Sequence, residues 1–346
     1  MKLPQNLPRL LLGWYDANKR DLPWRQDKEP YHVWLSEIML QQTRVEAVKG
    51  YYERFLRALP SVEALAQCDD AQLHKLWEGL GYYSRVRNLK KASIQIMELH
   101  GGIFPGKFAE ILALPGIGEY TAGAISSICF DLPVPAVDGN VLRVVARLTG
   151  DERPVDQPAF KKEVTAALKD IYPERAGDFT QSLMELGATL CGPNWMPRCG
   201  SCPCAAICKA YKEGKTNIIP VKTPKKEKRT EEMTVLILSC EDRLALRKRP
   251  DQGLLASLWE FPHIPGHLDA EQALDAIQAM GLKPRELCRQ TERSHIFTHI
   301  RWNMRGFYVE VEATEGTLRW LTREQIADTA ALPTAFRQFL EGQDHV

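Results

Sequence analysis

Between Leu7 and about Lys212, apolar residues recur at intervals of three and four. That is the period of a helix with one buried face. The stretches "LLLGWYDAN", "FAEILAL" and "VLRVVARL" show it, with Pro and Gly punctuating the gaps. No segment in this half alternates as a strand does. The pattern breaks at "PVKTPKKEKRT", Pro220 to Thr230, which is basic, carries prolines and has Val221 as its one large apolar residue. It reads as a linker, either a solvated tether or an arm that touches a polyanion. Beyond it, "MTVLILSC", "RLALRKR" and "RGFYVEVEA" read as strands, with the helical "AEQALDAIQAMG" between them. The prediction is an all-α part followed by a smaller α+β domain.

One helical run carries a chemical oddity. In "VWLSEIMLQQT", Val33 to Thr43, a single carboxylate, Glu37, interrupts an apolar helix that ends in two amides. Apolar surroundings disfavour its charged form, so its pKa is expected to rise. A second acid, Asp138, stands with Asn140 ahead of the helix in "VDGNVLRVVARL". Both residue types cap helix N-termini, and the helix dipole is expected to keep Asp138 ionised. Two carboxylates pushed apart in this way suit an acid and an anionic stabiliser, as in cleavage of a glycosidic bond. Between them, "FAEILALPGIGEYTAGAISSICF" reads as helix, tight turn, helix. Gly116 and Gly118 let the backbone approach a ligand at a helix N-terminus, a site for a phosphate oxygen.

The 346 residues imply two or three domains. With 44% hydrophobic and 26% charged residues the chain is of globular composition. A net charge of +1 means that any nucleic-acid surface is a local patch. No apolar run reaches membrane length, so the expectation is a soluble cytoplasmic protein with reduced or metal-bound cysteines. Four of the nine cysteines, Cys191, Cys199, Cys202 and Cys208, fall in "CGPNWMPRCGSCPCAAIC", with Cys204 inside the last gap. Thiolates select zinc or iron–sulfur. One Cys-x-x-Cys pair in one short loop favours a [4Fe–4S] cluster over a zinc ribbon. Cys68, Cys129, Cys240 and Cys288 are isolated and read as small buried residues.

Taken together, "LPWR", "WLSEIMLQQT", "GLGYYSRVRNL", "LPGIGEYTAGAI", "VDGNV", the cysteine loop and "FTH" resemble the MutY family of adenine-specific mismatch DNA glycosylases. That family lies within the helix–hairpin–helix, endonuclease III superfamily, and the resemblance spans essentially the whole chain. It implies a multidomain fold: a helical cluster domain (1–22 with 134–215), a six-helix domain bearing the hairpin (23–133), a linker (216–230) and a Nudix-like recognition domain (231–346). It implies that Glu37 protonates an extruded adenine at N7, and that Asp138 stabilises or bonds the sugar cation. Tyr120 and Asn140 line that pocket, and Arg25 and Gln181 contact the base. Gln41, Gln42, Thr43, Leu80 and Tyr82 contact the opened stack, Gln42 and Tyr82 by intercalation. Gly116 and Gly118 hold phosphate. Phe297, Thr298 and His299 read 8-oxoguanine, with Thr298 where the family usually has serine. The cluster ligands are Cys191, Cys199, Cys202 and Cys208, although the first gap is seven residues where six is usual. The implied partner is duplex DNA with adenine opposite 8-oxoguanine or guanine, bound by a monomer.

Tyr120 stands where bifunctional relatives place a Schiff-base lysine, so a monofunctional glycosylase is expected. "GLLASLWEFP" resembles the approach to a Nudix signature whose paired glutamates do not follow, so no nucleotide hydrolase is expected there. A bifunctional lyase, a Nudix hydrolase and a non-catalytic iron–sulfur DNA-binding protein are the competing readings.

Overall fold

The computed structural model describes residues 1–192, 197–224, 227–312 and 317–340. Along the chain run helices α1 (Leu7–Asn18), α2 (Pro30–Met39), α3 (Val45–Ala58), α4 (Val62–Gln67), α5 (Asp70–Leu76) and α6 (Ser84–His100). Then come α7 (Phe108–Leu112), α8 (Glu119–Phe130), α9 (Gly139–Thr149), α10 (Pro158–Lys169), α11 (Ala176–Thr189) and the short α12 (Lys209–Lys212). Two compact units form: residues 1–67 with 88–225, and residues 68–87 with 226–346. This division differs from the sequence-drawn domains in assigning residues 68–87 to the C-terminal unit.

In the first unit, α11 packs against α1, α8 and α9, and α2 packs against α8. The contacts are close. A Cβ at Gly187 of α11 would lie 2.8 Å from the Asn140 Cβ at the start of α9. One core gathers Leu7, Leu11, Val141, Val145, Phe160, Phe179 and Leu183, all nearly or wholly buried. Burying Leu- or Phe-sized side chains contributes roughly 1.5–3 kcal/mol each before entropy is counted.

The second unit holds β1 (Arg229–Cys240), β2 (Arg243–Lys248), β3 (Trp259–Glu260), β4 (His263–Pro265), β5 (Pro284–Ile296), β6 (Ile300–Val311) and β7 (Arg319–Thr322). They form a mixed sheet of order β3-β2-β1-β6-β5, with β4 on β1 and β7 on β2. Among the described strands, only the β1–β6 pairing is parallel. The apolar run of β1 is continuous because both its faces are covered. Val235 and Ile237 enter the core layer containing Ile326 and Phe336, from α14 (Arg323–Thr329) and α15 (Thr334–Arg337). Leu236 and Leu238 enter the other layer, with Ile277 of α13 (Ala270–Ala279). No described helix is long and apolar enough to cross a membrane.

Candidate active site

Helix α2 is buried along almost its whole length, and Glu37 is only 7% exposed. Its carboxylate accepts a hydrogen bond from the Tyr120 hydroxyl of α8 at 2.7 Å. Burial is the main force on Glu37 and raises its pKa to about 7. The Tyr120 bond and the charge of Arg25 pull the other way, while nearby Asp138 adds to the rise. The expectation of a raised acid at this position is met.

Asp138 caps α9 as expected, but its pKa does not part from that of Glu37 in direction. Its Oδ1 accepts from the Val141 N–H at 2.8 Å and its Oδ2 from the Asn140 side-chain amide at 2.7 Å, so it does cap α9. Burial nevertheless outweighs these donors, and the pKa is raised, not lowered. The two acids therefore share a direction. They differ in partners, since Asp138 accepts from two N–H donors and Glu37 from one hydroxyl.

Both open on one cavity of about 610 Å³, also lined by Arg25, Gln41, Gln42, Thr43, Tyr120, Asn140 and Gln181. That volume suits a small organic ring system. Helix α2 ends at Met39, so Gln41, Gln42 and Thr43 lie in a turn rather than on the expected helix. Gln42 is exposed and left-handed, with φ at 61°.

The cavity wall also contains Glu185 of α11, which sequence reading passed over. It is fully buried and bound by Arg20 Nε at 2.5 Å and Arg25 Nη2 at 2.8 Å. Burial alone would raise Glu185, but the two guanidiniums overcome it and hold it below the usual carboxylate value. The same signal that singled out Glu37, a lone carboxylate in an apolar helix, was present in "SLMELGA". Arg143 of α9 was missed as well. Its Nη2 donates to Asn140 Oδ1 (2.8 Å) and the Gly187 carbonyl (2.9 Å), and its Nε to the Cys191 carbonyl (2.7 Å).

The hairpin forms as expected between α7 and α8. Gly116 has φ at 77°, and a Cβ there would lie 2.5 Å from that of Asn88. Gly118 is the extended N-cap of α8 with open space beside it. The first N–H groups of α8 have no side-chain cap from Gly118.

Cys191, Cys199, Cys202 and Cys208 line one small cavity of about 30 Å³. Arg147 Nη1 donates to Cys191 Sγ at 3.1 Å. Cys204 does not line this cavity; it is 1% exposed and packs into the apolar core. The first gap, Gly192 to Arg198, includes Pro193–Met196, which lie outside the described residues. Among the described residues, no three His, Cys, Asp or Glu side chains converge closely enough for a single metal ion. A four-iron cluster spreads its four thiolates over separate irons.

In the second unit, Phe297, Thr298 and His299 form the turn between β5 and β6, closed by Phe297 N–H to the Ile300 carbonyl at 2.8 Å. Phe297 is half-buried against His295 and Trp302, while Thr298 and His299 are exposed. Tyr82 is 46% exposed, and its hydroxyl bonds the Thr298 hydroxyl at 2.7 Å. Leu80 is buried and lines the same cavity of about 400 Å³ as Tyr82 and Thr298. Glu260 of β3, within the "GLLASLWEFP" stretch, is buried and paired with Arg247 and Arg249.

Residues 35–174 match the HhH-GPD superfamily of base excision DNA repair proteins, and residues 233–342 match the NUDIX domain. The adenine DNA glycosylase of Arabidopsis thaliana is 38% identical over 366 residues, covering 89% of this chain and 57% of its own. This chain therefore spans little more than half of that relative. The adenine DNA glycosylase of Mus musculus is 34% identical over 400 residues, covering 97% of this chain and 77% of its own. The solved structure of a thermostable thymine-DNA glycosylase is 26% identical with a TM-score of 0.54, covering 60% of this chain and 95% of its own. With its helical core, its C-terminal mixed sheet and relatives of this kind over most of its length, the chain belongs to the adenine DNA glycosylase family.

Proposed function

We propose that this chain hydrolyses the N-glycosidic bond of adenine mispaired with 8-oxoguanine or guanine in duplex DNA. The observation that carries the reading is Glu37, a buried carboxyl with a pKa near 7 on a cavity shared with a second acid. An extruded adenine entering the cavity meets Glu37, which donates its proton to N7. The base then leaves neutral, which lowers the barrier by general acid catalysis. Positive charge develops on the sugar, and Asp138 stabilises it directly or bonds to it transiently. Asn140 and the Val141 N–H hold Asp138 in place for that step. Arg25, fixed by Glu185, and Gln181 contact the base edge. No lysine occupies position 120, so water completes the reaction and the DNA strand is left intact.

Gln42 and Tyr82 fill the opened stack, and the exposed Thr298 and His299 meet 8-oxoguanine. The backbone at Gly116 and Gly118 holds phosphate at the α8 N-terminus. Cys191, Cys199, Cys202 and Cys208 fit a [4Fe–4S] cluster by donor type and number, four cysteines lining one cavity. When bound, the cluster supplies four iron–thiolate bonds that tie the 191–208 loop together. Basic Arg198 on that loop and Lys209 directly after it then face phosphate.

The test is a duplex with one 8-oxoguanine:A pair, with free adenine and strand breaks measured before and after alkali. Adenine should appear at once, and breaks mainly after alkali. No adenine release would overturn the proposal. Glu37→Gln should bind this duplex while slowing base release by about 10²–10⁴-fold; retained activity would place the acid elsewhere.

A further inference from the structure

Tyr82 sits at the end of a turn with an unusual backbone. Gly79, Gly81 and Tyr82 all have positive φ, at 96°, 70° and 47°. Glycine accepts that conformation freely, but tyrosine does not, so something must hold it. The neighbour that does so is Arg85. Its guanidinium is buried, and its Nη2 donates to the carbonyls of Leu80 (3.0 Å) and Gly81 (3.1 Å). The guanidinium carbon lies 5.3 Å from the Trp77 ring centroid and 5.6 Å from that of Tyr82. Trp77 Nε1 also donates to the Gly81 carbonyl, at 3.0 Å. Burial lowers the Arg85 pKa to about 10, which leaves it charged at neutral pH.

We infer that Arg85 is the positioning residue for Tyr82. It ties down the two carbonyls before Tyr82 and packs beside its ring, so the aromatic side chain is presented in one pose with its hydroxyl on Thr298. A base-stack wedge needs that rigidity, because a ring that must first be ordered pays for the ordering when it inserts. This inference rests on the proposal that Tyr82 enters the DNA stack. Arg85 itself touches neither base nor sugar in this scheme; it acts through Tyr82.

A double-mutant cycle tests it. Single-turnover adenine release from an 8-oxoguanine:A duplex is measured for the native chain, Arg85→Met, Tyr82→Leu and the double variant. Alone, Arg85→Met should slow release by about ten- to a hundredfold, the effect of a misplaced group. With Tyr82 already replaced, the same change should matter by less than about twofold. Equal slowing in both backgrounds would mean a general structural role and would overturn the inference, as would no slowing in the native background. Arg85→Lys keeps the charge without the two-carbonyl fork and should give an intermediate loss, which covers the case in which the Met variant does not fold. If the native chain releases no adenine, the proposed function fails instead. The cycle is then read as affinity for the same duplex, with the same non-additivity expected.

Discussion

Glu37 joins function and stability in one side chain. Its folded pKa, about 7, stands above the ordinary value of 4.5 because burial penalises the charge. The folded protein therefore holds more protons than the unfolded chain between those values, and stability falls as pH rises through that window. Below about 4.5 both states are protonated and nothing is lost; above about 7 the full penalty remains, about 3 kcal/mol for a shift of this size. Glu37→Gln removes a titrating group while keeping much of the shape. The melting temperature of the variant relative to native should climb between pH 4.5 and 7 and then level off. A flat difference across that range would show that Glu37 is not the perturbed acid. The single-turnover rate of the native enzyme should fall by about tenfold per pH unit above 7, as the acid is lost. A lone carboxylate among apolar neighbours was enough to find Glu37. The matching cue at Glu185 lies in an otherwise ordinary helix, and only the fold shows that Arg20 and Arg25 converge on it.

At the scale of elements, the hairpin separates two roles that the sequence presents as one Gly-x-Gly. Gly116 is needed for the fold. Its positive φ costs about 1–2 kcal/mol for an L-residue, and a methyl would meet Asn88 as well. Gly116→Ala should lower stability by about 2 kcal/mol, read from denaturant unfolding. Gly118 has neither constraint, with φ at −98° and open space. Gly118→Ala should stay within about 0.5 kcal/mol of native and still weaken duplex binding, because the methyl stands where backbone would meet phosphate. Unchanged affinity would remove phosphate from this turn. Helices such as α1 and α3 were legible because they bury one face. The ends were less so: Leu40, Gln41 and Gln42 continue the helical composition, yet the chain turns there, and nothing in the residue types marks it. Strand β5 escaped for the opposite reason. It is an edge strand with a single neighbour, most of its residues face solvent, and no apolar alternation announces it.

At the scale of the whole molecule, the informative feature is residues 68–87, early in the chain but packed within the C-terminal unit. Helix α5 lies against α14. The Glu78 carboxylate, nearly buried, bonds Arg337 at 2.6 Å and the Leu332 N–H at 3.1 Å, and Arg87 donates to the Ala256 carbonyl at 3.0 Å. Hydrophobic periodicity could show that this segment is helical but not which core it joins, since periodicity gives a buried face and no partner. A chain cut after Thr230 would look, by its sequence domains, like an intact catalytic part missing only its 8-oxoguanine reader. The packing argues for a larger effect. The cut removes Arg337, Leu332, Ala256 and Thr298 together, so that Glu78 keeps its ion pair with Lys75 but loses Arg337 and the Leu332 N–H, and the Tyr82 hydroxyl loses Thr298. Amide exchange across 68–87 should therefore quicken strongly in the truncated chain, and adenine release from a plain G:A duplex should slow along with that from 8-oxoguanine:A. Exchange as slow as in the full chain, with only 8-oxoguanine preference lost, would mean that 68–87 is held without the C-terminal residues. The wedge and the recognition turn would then be independent parts.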